Sequence, residues 1–178
     1  MNKSAMIGVL SGVAAIAIFA NSAANAENNL NNNITSQVDM TAKAVFLVSE
    51  EVTANSVEKY RNAKTLTKEE LIDLLKLTGF EGKSLKIAWA TAMKESMGNP
   101  RSFNGNKSTG DNSYGLFQIN MLGYLGPERR DQFNLDSNKD LFDPVTNAAI
   151  AYHMSDGGKD WSAWKGITWK TKEWMEKF

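Results

Sequence analysis

Ser84-Leu85-Lys86-Ile87-Ala88-Trp89-Ala90-Thr91-Ala92-Met93-Lys94-Glu95-Ser96, followed by Met97-Gly98-Asn99-Pro100, decides how this chain is read. Leu85, Ala88, Trp89, Ala92 and Met93 recur at i, i+3, i+4, i+7 and i+8, the spacing of one apolar helical face. Gly98, Asn99 and Pro100 stop the helix. Glu95 falls in its last turn, at the edge of the apolar stripe, with Ala88, Thr91 and Ala92 as near neighbours and Lys94 pointing elsewhere. A carboxyl beside small apolar groups loses hydration, and desolvation raises its pKa. A raised pKa keeps the proton on near neutral pH, as a general acid requires.

Working outward, Arg101 to Asn112 is polar and rich in Gly and Asn, which predicts loops or the edge of a hairpin. Ser113-Tyr114-Gly115-Leu116-Phe117-Gln118-Ile119-Asn120 reads as strand at first and then as the start of a helix. Asp143-Pro144 is a helix cap with Pro at the first helical position, predicting a helix over Val145 to Ser155 that Gly157-Gly158 closes. N-terminal to the opening stretch, Thr67 and Glu70 form a capping box, with Leu66 and Leu71 placed as a hydrophobic staple. Leu71, Leu74 and Leu75 line one face, and Gly79 ends that helix. Val38, Val45, Val48 and Val52 favour a helix within Val38–Lys64, although Ala44-Val45-Phe46-Leu47-Val48 also suits a buried strand.

The first 26 residues read as a targeting segment. A short basic n-region with Lys3 precedes an apolar run from Ala5 to Ala20, and Ala24-Asn25-Ala26 fits small-x-small cleavage. The run is short for a membrane anchor and rich in Gly and Ala. Export to the periplasm or medium is therefore expected, with no stable membrane span after cleavage. Residues 27–64 form an Asn-rich lead-in with the possible helix, and residues 65–178 the folded domain. Asn28-Asn29-Leu30-Asn31-Asn32-Asn33 buries little apolar surface and reads as disordered.

Loss of Lys3 leaves 19 basic against 20 acidic residues, and this balance, without a basic cluster, excludes a nucleic-acid partner. The chain has no Cys, so the exported domain must rest on its core alone. With no Cys and only His153, the usual zinc ligand sets are missing, and neither metal nor cofactor is expected.

Glu95-Ser96, then Tyr114-Gly115-Leu116-Phe117-Gln118-Ile119-Asn120, then Ala151-Tyr152-His153 resemble the ordered motifs of the lysozyme-like superfamily, in particular its soluble lytic transglycosylase branch. That branch shows Glu-Ser, Gly-Leu-x-Gln and Ala-Tyr-Asn; His153 stands where it has Asn. The resemblance runs from about Thr65 to Trp164. It implies a mainly α (α+β) fold, a lysozyme-like helical domain with a small β region lining a substrate groove. It also implies roles. Glu95 is the catalytic acid, Gln118 orients substrate or acid, Tyr152 hydrogen-bonds near Glu95, and Gly115 lets the backbone approach a sugar. Ser96, Ser113, Tyr114 and Asn120, from the same motifs, complete the expected substrate-binding set. Trp161 and Trp164 are open to two readings, sugar stacking or core packing.

Glycoside hydrolysis generally uses two carboxylates. Animal-type lysozymes carry an Asp directly before the Tyr-Gly of the strand, where this chain has Ser113. Asp111, two residues earlier, shares a strand face with Ser113 but is displaced by about 7 Å. The resemblance therefore implies a lytic transglycosylase that uses Glu95 alone on the glycan strands of peptidoglycan. A hydrolysing muramidase using Glu95 with Asp111 is the alternative. A non-catalytic wall-binding or assembly protein is a third, which the intact Glu95 disfavours. The lead-in suits tethering to a larger secretion, conjugation or phage assembly.

Overall fold

A computed structural model describes residues 56–178. The expected signal peptide, the Asn-rich lead-in and most of Val38–Lys64 lie outside the described residues. Helix α1 (Lys68–Thr78) opens on the Thr67–Glu70 capping box: Thr67 Oγ1 accepts from Glu70 N at 3.2 Å and Glu70 Oε2 accepts from Thr67 N at 2.7 Å. It closes on Gly79, whose φ of 113° is left-handed and suits glycine. Its buried face is Leu71, Leu74 and Leu75, as the periodicity predicts.

Helix α2 (Gly82–Ser96) is the spine of the domain. Besides the expected stripe, Ile87, Ala90 and Thr91 are buried, so apolar contact surrounds more of the helix than one face. The reason is that α1 and the C-terminal helix α5 (Trp169–Met175) both pack on it. The short residues Ala88, Ala90 and Ala92 allow that close approach.

A three-stranded antiparallel sheet follows: β1 (Phe103–Asn104), β2 (Ser113–Tyr114) and β3 (Ile119–Asn120), in that order. The expected run from β2 into a helix is corrected. Gly115 and Gln118 take left-handed φ values of 74° and 47°, so the chain reverses between them and returns as β3. Helix α3 (Leu125–Gln132), a 3-10 turn at Asn138–Phe142 and helix α4 (Pro144–Met154) come next. Asp143 caps α4, accepting from Thr146 N at 3.2 Å, with Pro144 at the first helical position as expected. Asp143 also accepts from Arg61 Nη1 at 2.8 Å and Asn62 N at 2.9 Å. Val57 and Tyr60 are buried in the common core, so packing extends N-terminal of Thr65. Tyr60 Oη donates to Asp73 at 2.7 Å, and this bond, with the Lys59 ammonium, holds the Asp73 carboxyl below its ordinary range.

One buried side chain ties the helical and β parts together. Asn147, on α4, has no exposed surface. Its Oδ1 accepts from Phe117 N at 2.9 Å, and its Nδ2 donates to Tyr114 O at 3.0 Å and Leu141 O at 2.9 Å. These bonds join the β2–β3 hairpin and the 3-10 turn to α4, and a buried backbone group left unpaired costs about 1–3 kcal/mol. Among the described residues no helix is long and apolar enough to cross a membrane.

Asn147→Ala removes all three of these bonds from a buried site. It is expected to destabilise the domain by about 3 kcal/mol or more, lowering Tm by roughly 10 °C in thermal denaturation.

Candidate active site

The C-terminal end of α2 faces the small sheet across a cleft of about 600 Å³. Strand register explains which side chains reach it. Asn104 pairs with Ser113 and Ser113 with Asn120, while Phe103 pairs with Tyr114 and Tyr114 with Ile119. Side chains alternate across a strand, so the two rows face opposite ways. Asn104, Ser113 and Asn120 line the cleft. Phe103 and Tyr114 pack ring to ring at 4.9 Å on the other face, with Phe142 at 5.3 Å from Tyr114. Tyr114, expected in the substrate-binding set, is placed on the face of the sheet opposite Ser113, where it supports the sheet from behind.

Glu95 lines the cleft, one quarter exposed. Its surroundings differ from those the sequence suggested. Lys94 does not point away: its ammonium pairs with Glu95 Oε1 at 2.8 Å and donates to Trp164 O at 3.1 Å. Consecutive residues on a helix diverge by a third of a turn, but the lysine stem is long enough to fold back. Lys94 is only 12% exposed, so this ammonium is fixed between two partners.

Asp111 also lines the cleft. Its Oδ1 accepts from Ser113 Oγ at 3.4 Å and its Oδ2 from Thr109 Oγ1 at 2.9 Å. Gln118 lines the cleft as well, its Nε2 donating to Ser102 O at 3.1 Å and Gly115 O at 2.9 Å. The amide donor therefore braces the turn. Asn120 likewise braces its loop: its Oδ1 accepts from Asn112 N and Leu122 N, and its Nδ2 donates to Gly110 O at 2.8 Å. The Arg129 guanidinium donates to the Asn120 carbonyl, and burial lowers its pKa.

Three expected residues serve the scaffold. Ser96 is buried; its Oγ donates to Leu116 O at 2.7 Å, with Ala92 O at 3.1 Å, locking the end of α2 onto the β2–β3 turn. Gly115 was expected to admit a sugar, but a Cβ there would overlap the Asn147 amide and the Leu141 carbonyl, so the glycine admits the scaffold instead. Tyr152 was expected beside Glu95. Its ring packs edge-on against Phe80 at 4.9 Å, and its hydroxyl lies beside Gly79 and Gly157, away from the cleft lining. His153 is exposed, with Phe133 at 5.4 Å and Gln132 Nε2 at 3.4 Å from its Nε2.

Trp161 and Trp164 are core residues. Trp161 Nε1 donates to Gly158 O at 2.9 Å and Trp164 Nε1 to Phe117 O at 2.8 Å, and Trp164 also lines the cleft. Sequence reasoning missed Lys94, Asn104, Lys165, Thr168, Trp169 and Lys170 as cleft residues. The β pairing of Asn104 with Ser113 is a long-range fact, and Trp169 carried only the signal of an aromatic in a polar tail.

The comparisons agree with this architecture. Residues 73–166 match the model of a family described as a lysozyme-like domain, and the chain belongs to that family. Among curated proteins it is similar to lysozyme C, milk isozyme, of Equus caballus, at 34% identity over 113 residues, spanning 57% of this chain and 86% of that protein. Lysozyme C of Equus asinus matches with the same identity and coverage. No solved structure matches significantly. The fold and these relatives define a glycosidase-type enzyme.

Gly115→Ala is expected to cost about 3 kcal/mol, combining a left-handed φ with overlap onto Asn147, and to lower Tm. Tyr152→Phe, which touches no cleft group, is expected to keep glycan-cleaving activity within about twofold of wild type; turnover assays on both variants check the assignment.

Proposed function

We propose that this protein cleaves the glycan strands of peptidoglycan, outside the cytoplasm, as a lytic transglycosylase with Glu95 as its single catalytic acid and base. The observation that carries this reading is the chemistry facing Glu95. The row of strand side chains in the cleft, Asn104, Ser113 and Asn120, is polar and uncharged, and Ser113 holds the position directly before Tyr114-Gly115. A serine there cannot stabilise an oxocarbenium ion as a carboxylate does.

In the proposed reaction the Glu95 carboxylic acid protonates the oxygen between N-acetylmuramic acid and N-acetylglucosamine. The C1–O bond breaks and an oxocarbenium-like centre forms. Glu95, now a carboxylate, accepts the proton of the muramic acid C6 hydroxyl. O6 closes on C1 to give a 1,6-anhydro end, and no water is consumed. One group serves as acid and then as base. Lys94 fixes the direction of the Glu95 carboxyl through Oε1 at 2.8 Å, and its ammonium pairs with the carboxylate that takes the C6 proton. Ser96 is a positioning residue that acts through the end of α2.

A second reading is favoured by one observation: Asp111 lines the same cleft, with an oxygen 3.4 Å from Ser113 Oγ. As second carboxylate it would direct water to C1 and give hydrolysis, the outcome that likeness to lysozymes C favours.

Mass spectrometry of soluble products from peptidoglycan separates the two. Anhydromuramyl products that disappear in Glu95→Gln, and persist in Asp111→Asn, are the expected result. Reducing-end muramic acid that disappears in Asp111→Asn would establish hydrolysis. Lys94→Met is expected to lower kcat about tenfold with little change in KM, because it frees the Glu95 carboxyl from its anchor; steady-state kinetics on a soluble glycan measure it.

A further inference from the structure

The cleft has a third wall, which the proposed reaction does not use. It is built from Ala163, Trp164, Lys165, Thr168, Trp169 and Lys170. The chain has five tryptophans. Trp89, Trp161 and Trp164 are buried and Trp174 packs against the core, whereas Trp169 is 69% exposed. An indole left in water at the rim of a polar cleft offers a flat apolar face, the shape that the axial C–H groups of a sugar ring match. Its base is rigid. Trp169 is the first residue of α5, and the capping residue Thr168 accepts from the N–H of the buried Thr171 at 3.3 Å.

Two cations accompany it. Lys170 Nζ lies 5.5 Å from the centroid of the Trp169 ring, so ammonium and aromatic face are offered together. Lys165 is exposed and takes a φ of 64°, a left-handed conformation that favours glycine over a long side chain. That conformation caps the 3-10 turn Ser162–Trp164, with the Lys165 N–H donating to Ser162 O at 2.9 Å, and fixes where the lysine leaves the backbone. Lys94 is engaged by Glu95, but neither Lys165 nor Lys170 has an ion-pair partner among the described residues. The carboxylates that line the cleft, Glu95 and Asp111, stand with the acid helix and the sheet, so this third wall is a cationic strip with an aromatic platform.

We propose that Trp169, Lys165 and Lys170 form a subsite that stacks a sugar ring and binds a carboxylate appended to it, so that the cleft selects acid-bearing glycans over neutral ones. The inference rests on the glycan-cleaving reading above and specifies its substrate. In a chain of N-acetylglucosamine no ring carries a carboxylate. In peptidoglycan every second ring carries a lactyl ether, ending in its own carboxylate or in those of a stem peptide. Either source presents the same chemistry to the lysines.

Calorimetric binding to the Glu95→Gln protein, which removes turnover, tests this with three ligands of equal sugar count: chito-oligosaccharide, peptide-free muramyl glycan, and the same glycan with stem peptides. The expected result is preference of about fivefold for an acid-bearing glycan over the neutral one, shrinking with added salt. Lys165→Gln with Lys170→Gln should abolish that preference while leaving neutral binding unchanged. Trp169→Ala should weaken all ligands about tenfold, and Trp169→Tyr should restore most of it. Whichever muramyl ligand shows the larger lysine-dependent gain identifies the carboxylate as lactyl or peptide. Preference that survives the double lysine substitution, or binding indifferent to Trp169→Ala, overturns the subsite. If wild-type protein still cleaves peptidoglycan in that case, only the subsite falls; if it neither cleaves nor binds glycan, the functional reading falls with it.

Discussion

A carboxamide with no access to water holds the two halves of this domain in register. Asn147 reaches from α4 into the β2–β3 turn and bonds one N–H and two carbonyl groups, of Phe117, Tyr114 and Leu141, that belong to the hairpin and the neighbouring 3-10 segment. Gly115 is the complementary requirement, because any Cβ at that position would occupy the space the amide needs. Ser96 adds a second tie from α2 to the Leu116 carbonyl. The end of the acid-bearing helix, the hairpin and α4 therefore meet at one turn. Trp164 closes the same junction from the C-terminal side through Phe117 O, and its own carbonyl receives Lys94. Geometry at Glu95 thus depends on three side chains, Asn147, Ser96 and Trp164, whose polar atoms are spent on backbone.

Division of labour follows from this arrangement. Buried polar groups must be paired, so the residues that build the turn have little bonding capacity left for a ligand. Those that remain available come from the outward row of the sheet, from the last turn of α2 and from the segment that leads into α5. The pairing of Glu95 with Lys94 belongs to the second group, where an acid and a base of adjacent sequence share one wall.

Helices were legible in the sequence because their signals are local. The Thr67–Glu70 box, Gly79, the Leu85–Met93 stripe and Asp143-Pro144 each encode a boundary or a face within a few residues, and each appears as expected. The β2–β3 turn was misread because Leu116 and Phe117 look like the start of an apolar helical face, whereas positive φ at Gly115 and Gln118 is fixed by a residue some thirty positions away. At the cleft, Glu95 and the polar strand positions could be read from motifs and period. Tyr152 could not: its motif suggested the cleft, but Phe80 offers its ring an aromatic partner on the far side. Lys94 and Trp169 were missed because the direction of a long side chain, and the exposure of one Trp among five, are decided by tertiary packing.

Ser113 sits in the middle of the sheet with its backbone held on both sides, yet its hydroxyl makes a single long contact, to Asp111. The chain is anchored there by ladder bonds that any residue can supply, and the small buried side chain bonds, among the described residues, only to Asp111. In evolutionary terms the site separates heritable scaffold from adjustable chemistry. Substitution at Asn147 or Gly115 acts on the hairpin junction itself, whereas substitution at position 113 acts on a side chain that faces the cleft. Folding and cleft chemistry are therefore inherited through different positions of the same short strand and turn, and a change in one need not travel with a change in the other.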